Sequence, residues 1–344
     1  MLIVNAEQTR RLLPMAECID VMDRAMRAAS TGAVTTPERI IAPLADGVSY
    51  FIAMPGSLAE PPVYGAKIVS LHPGNPAQGR PAVQGFVTLF DGGTGSPVAL
   101  IDGAEITRIR TAAASALATR ELARPDAATH GILGAGVQAA SHLEAISCIR
   151  GIEQVLVWAR ELRKARQFAA EQTERTGLKV AAAENAAEAA ACDIVSVVTN
   201  APEPVLQGRW LQPGTHFNLV GSHEAHHREA DTEAVTRATV YVDARRGALS
   251  EAGDLLIPIK EGRMTADDIV GEIGEVLAGT APGRRDSQQI TLYKSLGIVA
   301  QDLLAAEYVL RQARLQDAGS HIAFPSTLQA ALIASADQPT LCGG

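Results

Sequence analysis

The chain has 344 residues, enough for two domains or one large one, and a hydrophobic content of 47% that suffices for a packed core. Its net charge of −8 argues against a nucleic-acid partner, which would need a basic surface. The four cysteines are far apart and form no CxxC motif, the N-terminus lacks a signal-peptide pattern, and no apolar run reaches the ~18 residues that span a bilayer. We therefore expect a cytoplasmic protein with no membrane partner.

The first part of the chain predicts a mixed α+β unit. A short strand at 2–4 precedes a helix at 15–29, whose apolar side chains recur at helical spacing. Five β-like runs follow between residues 35 and 101, separated by turns rich in Pro and Gly. Asp91-Gly-Gly lies between the last two runs and predicts a hairpin. A helix at about 103–123 closes this unit.

A glycine-rich turn opens the second part. An apolar run at 131–133 leads into Gly134-Ala-Gly-Val-Gln-Ala139, and an Ala-rich helical stretch follows. Strand, Gly turn and helix in this order are typical of a dinucleotide-binding site. Gly134 permits the tight turn, and Gly136 lets a pyrophosphate approach the free N–H groups at the start of the helix. The cofactor contacts predicted here are Gly134, Ala135, Gly136, Val137 and Gln138.

Strands and helices then alternate, which is typical of a parallel sheet with helices on both faces. The strands are predicted at 130–133, 154–158, 178–182, 194–198, 216–220 and 239–242, and the helices between them include 162–176 and 186–191. The fold class is therefore α/β, a doubly wound Rossmann sheet beside the α+β unit.

From Tyr293 onward the pattern is that of a long amphipathic helix, placed at Ser295 to about Gln316, which is predicted to return to the N-terminal unit. The first domain is then discontinuous and covers residues 1–124 and 300–335. The Rossmann domain covers residues 125–299, and residues 336–344 form a loose tail.

The end of the second Rossmann strand indicates which dinucleotide binds. NAD sites usually carry an acidic residue there for the ribose 2′-hydroxyl, whereas NADP sites often carry an arginine for the 2′-phosphate. Residues 155–160 read Val-Leu-Val-Trp-Ala-Arg, and Glu161 comes one position late. Arg160 therefore favours NADP(H). NAD(H) remains the alternative if this arginine is only a solvated residue at the start of a helix.

Three further side chains are candidates for substrate chemistry. Lys67 lies in an apolar β run, where an unpaired ammonium is costly to bury, so it faces either solvent or an anion site. Arg108 and Arg110 cannot share a helix face, and the small residues after Arg110 leave room for a ligand. His223 follows a Rossmann strand and is a candidate proton donor. A metal site within the histidines of 223–227 is disfavoured, because no HxxxH pair or cysteine completes a ligand set.

Motifs along nearly the whole chain resemble the ornithine cyclodeaminase/mu-crystallin family. They are Gly65-Ala-Lys-Ile-Val69, Arg108-Ile-Arg-Thr-Ala-Ala-Ala-Ser115, the glycine turn at 131–139, Arg228-Glu-Ala-Asp231, Glu251-Ala-Gly-Asp254, Gly271-Glu-Ile-Gly-Glu275 and Tyr293-Lys-Ser-Leu-Gly297. The resemblance implies a homodimer with a substrate-binding and dimerisation domain beside the Rossmann domain. It also implies that Arg39, Lys67 and Arg110 hold the carboxylate of the substrate.

Two departures from the family pattern favour a reductase. Cyclodeaminases carry a Glu before Met-Pro and an Asp after a late Rossmann strand, whereas Ile52 and His223 take these places here. The sequence therefore resembles the NAD(P)H-dependent reductases of small cyclic α-imino acids, which convert Δ1-pyrroline-2-carboxylate or Δ1-piperideine-2-carboxylate to L-proline or L-pipecolate. Lys67 or His223 would supply the proton. The residues expected beside the cofactor are Arg110, Thr199, Asn200, Val220, Gly221 and Ser295.

Three other functions remain open. The first is a linear imino-acid reductase or amino-acid dehydrogenase of the alanine dehydrogenase or iminosuccinate reductase type. The second is ornithine cyclodeamination. The third is non-catalytic binding in the manner of mu-crystallin, against which the three-cation set argues, because a mere binding protein needs no carboxylate clamp beside a nicotinamide.

Overall fold

Two eight-stranded sheets organise this computed structural model, which describes residues 1–323. None of the helices in that range is long and apolar enough to cross a membrane. The predicted tail at 336–344 and the last part of the discontinuous domain, from 324 to 335, lie outside the described residues.

The N-terminal elements follow the prediction closely. In chain order they are β1 (Leu2–Val4), α1 (Ala6–Leu12), α2 (Met15–Ser30), β2 (Val34–Thr35), β3 (Ile40–Pro43), β4 (Tyr50–Leu58), β5 (Val63–Leu71), β6 (Val83–Asp91), β7 (Pro97–Asp102) and α3 (Gly103–Leu122). The turn after β6 is fixed by the Asp91 carboxylate, which accepts from the Thr94 N–H at 2.8 Å. Because β6 and β7 pair antiparallel across it, the predicted hairpin is confirmed.

The remaining elements alternate as expected through residue 242. They are β8 (Thr129–Leu133), α4 (Val137–Ile149), β9 (Gln154–Trp158), α5 (Leu162–Thr176), β10 (Val180–Ala182), α6 (Ala186–Ala190), β11 (Ile194–Val197), β12 (His216–Leu219), α7 (Thr232–Thr236), β13 (Thr239–Val242), α8 (Arg245–Glu251), α9 (Gly253–Lys260), β14 (Ile269–Glu272), α10 (Ile273–Ala278), β15 (Thr291–Lys294), α11 (Val299–Leu315) and β16 (Ser320–His321). Short 3₁₀ turns lie at Asn75–Gln78, Gly208–Trp210 and Ala266–Asp268.

The second sheet is parallel throughout, in the order β10-β9-β8-β11-β12-β15-β13-β14. The chain runs outward from β8 to β9 and then returns to β11 on its other side, so the order reverses between β8 and β11. In doubly wound sheets ligands bind at the carboxyl ends of the strands at such a reversal. The predicted fold class is therefore confirmed.

The predicted start of the last long helix was wrong. Tyr293 and Lys294 belong to β15, and α11 begins only at Val299. Strand β15 pairs with β12 on one edge and β13 on the other, and its residues are buried. A strand buried on both faces shows no alternating pattern, so periodicity alone does not separate it from a helix.

The first sheet is mixed, in the order β16-β1-β7-β6-β5-β4-β2 with β3 paired to β4. Its inner face packs against α3 and α11, and both of these helices pack against α2, which places α11 on the N-terminal unit. That packing supports the discontinuous first domain, whose boundaries at residues 124 and 300 stay a prediction. The outer face is different, because it exposes the apolar side chains of Ile40, Phe51, Tyr64 and Phe86.

Candidate active site

A cleft of about 790 Å³ runs from the inner face of the first sheet to the carboxyl ends of β8 and β11. Every residue that the sequence nominated for the site lines this cleft. They are Arg39, Lys67, Arg110, Gly134, Ala135, Gly136, Val137, Gln138, Arg160, Thr199, Asn200, Val220, Gly221, His223 and Ser295. The structure thus brings them together in one place, and their individual roles remain proposals.

The glycine turn has the geometry that a pyrophosphate needs. Gly134 has φ +122°, and a Cβ there would meet the Val198 carbonyl oxygen at 2.8 Å, so only glycine fits. Gly136 precedes α4, no side chain within residues 1–323 caps that helix, and a Cβ at Gly136 would point into open space. Ala139 is fully buried where the helix meets the strand. These residues fit a dinucleotide at the helix N-terminus.

Arg160 stands at the outer end of the cleft, just after β9, and is exposed. Glu161 also lines the cleft, and its carboxylate lies 2.6 Å from the Lys164 ammonium. The acidic residue that comes one position late in the sequence is therefore already paired, while the guanidinium of Arg160 lines the cleft.

At the other end of the cleft two cations share one buried carboxylate. The Lys67 ammonium lies 2.8 Å from Asp302, and the Arg110 Nε lies 3.1 Å from the same carboxylate. Arg110 also donates to the Gln301 side chain at 2.9 Å. The exposed fraction of Asp302 is 0%, and those of Lys67 and Arg110 are 4% and 5%. Neither cation is a surface group.

Sequence reasoning missed Asp302. It lies in the first turn of α11, within Val299-Ala-Gln-Asp-Leu-Leu304, and packs towards the first sheet. A carboxylate on the apolar side of a helix was the available signal, because such a group is buried only when it is paired.

The charges of Lys67, Arg110 and Asp302 act on the pKa values of Lys67 and Asp302. Burial, with a smaller contribution from the charge of Arg110, lowers the pKa of Lys67 to about 8, although Asp302 acts in the opposite direction. Although burial acts against it, the two cations lower the pKa of Asp302 below its ordinary value. Two positive groups therefore share one negative group, which leaves a net positive charge to receive an anion.

Arg39 completes the cation set from a loop of the N-terminal unit. Its Nε lies 3.2 Å from Glu251, and its Nη2 donates to the Gly297 carbonyl oxygen at 2.8 Å. The turn that it contacts is fixed from beneath, because the buried Asp243 carboxylate accepts from the Leu296 N–H at 2.8 Å. Asp243 and Glu251 were not among the predicted site residues.

His223 lies in the loop after β12 and lines the cleft. Desolvation between the walls of the cleft, and then the positive charges of Lys294 and Arg39, lower its pKa below the ordinary value. The imidazole is therefore neutral near pH 7, which makes it a weak proton donor.

A small cluster of possible metal ligands follows His223. The ligand atoms of Glu224, His226 and His227 lie within 4.8 Å of one another. Glu224 was not among the ligands considered from the sequence. The cluster already pairs internally, with His226 Nε2 3.3 Å from Glu224, and its side chains are largely exposed. The expectation of no metal site stays a prediction.

The model of the ornithine cyclodeaminase/mu-crystallin family matches residues 1–317. The chain belongs to this family. A Delta(1)-pyrroline-2-carboxylate reductase of Bacillus cereus is 36% identical over 326 residues, which cover 94% of this chain and 100% of that protein.

Solved structures agree with the family assignment. The structure of Thermococcus litoralis Delta(1)-pyrroline-2-carboxylate reductase in complex with NADH and L-proline is similar with a TM-score of 0.91 and 37% identity, and the match covers 94% of this chain and 100% of that chain. An archaeal alanine dehydrogenase dimer with bound NAD gives a TM-score of 0.89 and 30% identity, covering 94% and 99% of the two chains.

In this chain the wall of the cleft beside the cations is apolar. Ile52 and Val69 lie opposite each other on β4 and β5, and Met54, Leu71 and Val83 continue the surface. Among the described residues that line the cleft, the acidic one is Glu161, at the cofactor end. A second amino group on a substrate would therefore find no carboxylate lining the wall near Ile52.

We expect Asp302→Asn to lower the free energy of unfolding by about 3 kcal/mol, because it leaves two nearly buried cations without their counter-ion. Urea denaturation measures this loss, and an unchanged slope against urea shows that the same unfolding transition is compared. Glu184→Gln is the control, since it breaks the exposed pair with Arg166, at 3.1 Å, and should cost less than ~0.5 kcal/mol. Equal losses in both variants would contradict the prediction.

Proposed function

We propose that this protein is an NAD(P)H-dependent reductase of small cyclic α-imino acids, which forms L-proline from Δ1-pyrroline-2-carboxylate or L-pipecolate from Δ1-piperideine-2-carboxylate. The observation that carries the proposal is the pairing of a net-positive cation set with an apolar wall at one end of a dinucleotide cleft. The similar Thermococcus litoralis enzyme, which was solved with NADH and L-proline, supports it.

The substrate carboxylate would lie against Lys67, Arg110 and Arg39. Asp302 holds the first two in fixed positions and neutralises only one of their charges. An arginine fork binds a carboxylate with two parallel hydrogen bonds, and a buried ammonium adds a point charge. The ring of the substrate would then lie against Ile52 and Val69, where no carboxylate from residues 1–323 lines the wall to hold a second amine.

The reduced nicotinamide, when bound, would supply a hydride to the imine carbon. An imine accepts hydride better when its nitrogen carries a proton, so a nearby acid is useful. Of the two predicted donors we favour Lys67, because a pKa of about 8 keeps it protonated near pH 7 while allowing it to give up the proton. The neutral His223 would instead shape the open side of the cleft.

Purified protein should oxidise NADPH or NADH when Δ1-pyrroline-2-carboxylate is added. We expect kcat/KM to fall above about pH 8, because Lys67 is charged below that pH and neutral above it. Neutral Lys67 binds the carboxylate less well and cannot donate a proton.

Arg110→Ala should raise KM for the imino acid at least about tenfold through the loss of charge-assisted hydrogen bonds. A panel of cyclic and linear imino acids that gave no turnover would refute the reductase assignment.

A linear substrate is the second candidate, favoured by the likeness to the archaeal alanine dehydrogenase. Such an enzyme forms its imine from a keto acid and free ammonia. Turnover that requires added ammonia would therefore identify the linear activity, and turnover without ammonia would identify the cyclic one.

We further propose that NADP(H) is the preferred cofactor. Arg160 lines the outer end of the cleft after β9, where a 2′-phosphate would lie, and no acidic residue stands at 158–160. The two solved relatives described above contain NADH and NAD, so this preference would be a property of this chain.

Arg160→Ala should raise KM for NADPH about tenfold and leave KM for NADH nearly unchanged, because only the former carries a phosphate for the guanidinium. Steady-state kinetics with each cofactor measure both values. Arg166→Ala is the control, because Arg166 is an exposed arginine on α5, and this variant should change neither KM value. A similar rise for both cofactors would mean that Arg160 does not recognise the phosphate.

We also propose a homodimer that forms through the outer face of the first sheet. Ile40 is 58% exposed there, and Phe51, Tyr64 and Phe86 are about 40% exposed, which is more apolar side chain than an isolated sheet face usually presents to water. Light scattering should give twice the chain mass of 36.1 kDa. Phe51→Lys should shift the protein towards monomer, whereas Leu315→Lys, an exposed leucine at the end of α11, should not. A monomer in the unmodified protein would contradict the proposal.

A further inference from the structure

Three of the family motifs meet beneath Thr199 and Gly221, two residues that line the cleft after β11 and β12. Each contributes one ionisable residue: Glu229 from 228–231, Asp254 from 251–254 and Lys294 from 293–297. The exposed fraction of all three is 0%. Burying three ionisable groups is costly unless they satisfy one another and the backbone around them.

Glu229 ties together the two loops that line the cleft after β11 and β12. One carboxylate oxygen accepts from the N–H and the hydroxyl of Thr199, both at 2.7 Å. The other accepts from the N–H groups of Gly221 and Ser222, at 2.6 and 3.2 Å. Thr199 and Gly221 themselves line the cleft, so the carboxylate lies one backbone layer beneath its surface.

Asp254 and Lys294 hold Glu229 from below. The Lys294 ammonium lies 2.8 Å from Asp254 and donates to the Ser222 carbonyl oxygen at 2.6 Å. The other Asp254 oxygen accepts from the N–H groups of Glu229 and Ala230, at 2.7 and 3.1 Å. Asp254 is thus the counter-ion of Lys294, and no cation in the described part of the chain pairs directly with Glu229.

The donors around Glu229 favour its ionised form. Three of them are backbone N–H groups, which can donate but cannot accept a proton from a neutral carboxyl. Burial and the neighbouring Asp254 raise the pKa of Glu229 to about 7, and Lys294 opposes them. With Glu229 ionised, two carboxylates and one ammonium lie together in the cluster, and the surplus negative charge is buried away from water.

We propose that Glu229, supported by Asp254 and Lys294, is a positioning residue that makes the cleft prefer the oxidised, positively charged nicotinamide over the reduced, neutral one. The proposal rests on the proposed function, since it needs a nicotinamide beside Thr199 and Gly221. A buried negative charge one layer beneath the ring attracts the positive charge that appears as hydride leaves. The same carboxylate fixes both loops, so it acts without touching the cofactor.

The test compares NADP⁺ and NADPH binding by isothermal titration calorimetry at pH 8, so its readout does not depend on turnover. Glu229→Gln should weaken NADP⁺ binding about three- to tenfold more than NADPH binding, the size expected for one buried charge acting through protein. Asp254→Asn removes one negative charge from the same cluster and should shift the ratio in the same direction, so it serves if the first variant does not fold. Glu229→Asp keeps the charge and should keep the preference.

Glu203→Gln is the matched control, because Glu203 is an exposed carboxylate on the loop that follows Thr199. It should leave the NADP⁺ to NADPH ratio unchanged, since solvent screens its charge. Equal weakening of both forms in Glu229→Gln and Asp254→Asn would overturn the inference and leave the cluster a purely structural clamp. Failure of the unmodified protein to bind either form would overturn the proposed function itself, and the two failures are therefore distinct.

Discussion

The ion cluster around Asp302 is the constraint on which the substrate end of the molecule depends. One carboxylate from α11 holds Lys67 of β5 and Arg110 of α3, so three separate elements meet at a single buried charge. No element supplies the cluster alone, and removing the carboxylate would strand two cations away from water. Specific pairing therefore fixes both the return of α11 to the first sheet and the positive character of the cleft.

Two sites along the cleft have charge clusters of opposite sign. Near Ile52 two cations share one carboxylate, and beneath Thr199 two carboxylates lie in a cluster with one ammonium, which pairs directly with Asp254. Each arrangement leaves one unbalanced charge in a place of low dielectric, where its influence is larger than on the surface. The positive cluster around Asp302 would suit the carboxylate of the substrate. The negative cluster around Glu229 would suit a nicotinamide ring that becomes positively charged as hydride leaves.

The sequence predicted the residues that line the cleft but not the buried acids that hold them in place. The glycine turn, the alternating strands and the cations were visible because turns, periodicity and unusual charges leave local signals. The acids beneath them, Asp302 and Glu229, were not recognised as site residues. The cations that pair with Asp302 lie far along the chain, and the N–H groups that bind Glu229 belong to loops after two different strands, which only folding brings together. Strand β15 was misassigned for a related reason, since burial on both faces removes the alternation that marks a strand.

The pleat of β4 links assembly to substrate recognition. Phe51 points to the exposed apolar face and Ile52, its neighbour in the chain, points into the cleft. The surface offered to a second subunit and the surface offered to the substrate are thus the two sides of one strand. In the proposed dimer, a shift of that strand on association would reach the wall of the substrate pocket directly, so subunit assembly would help to set which ring size the pocket accepts.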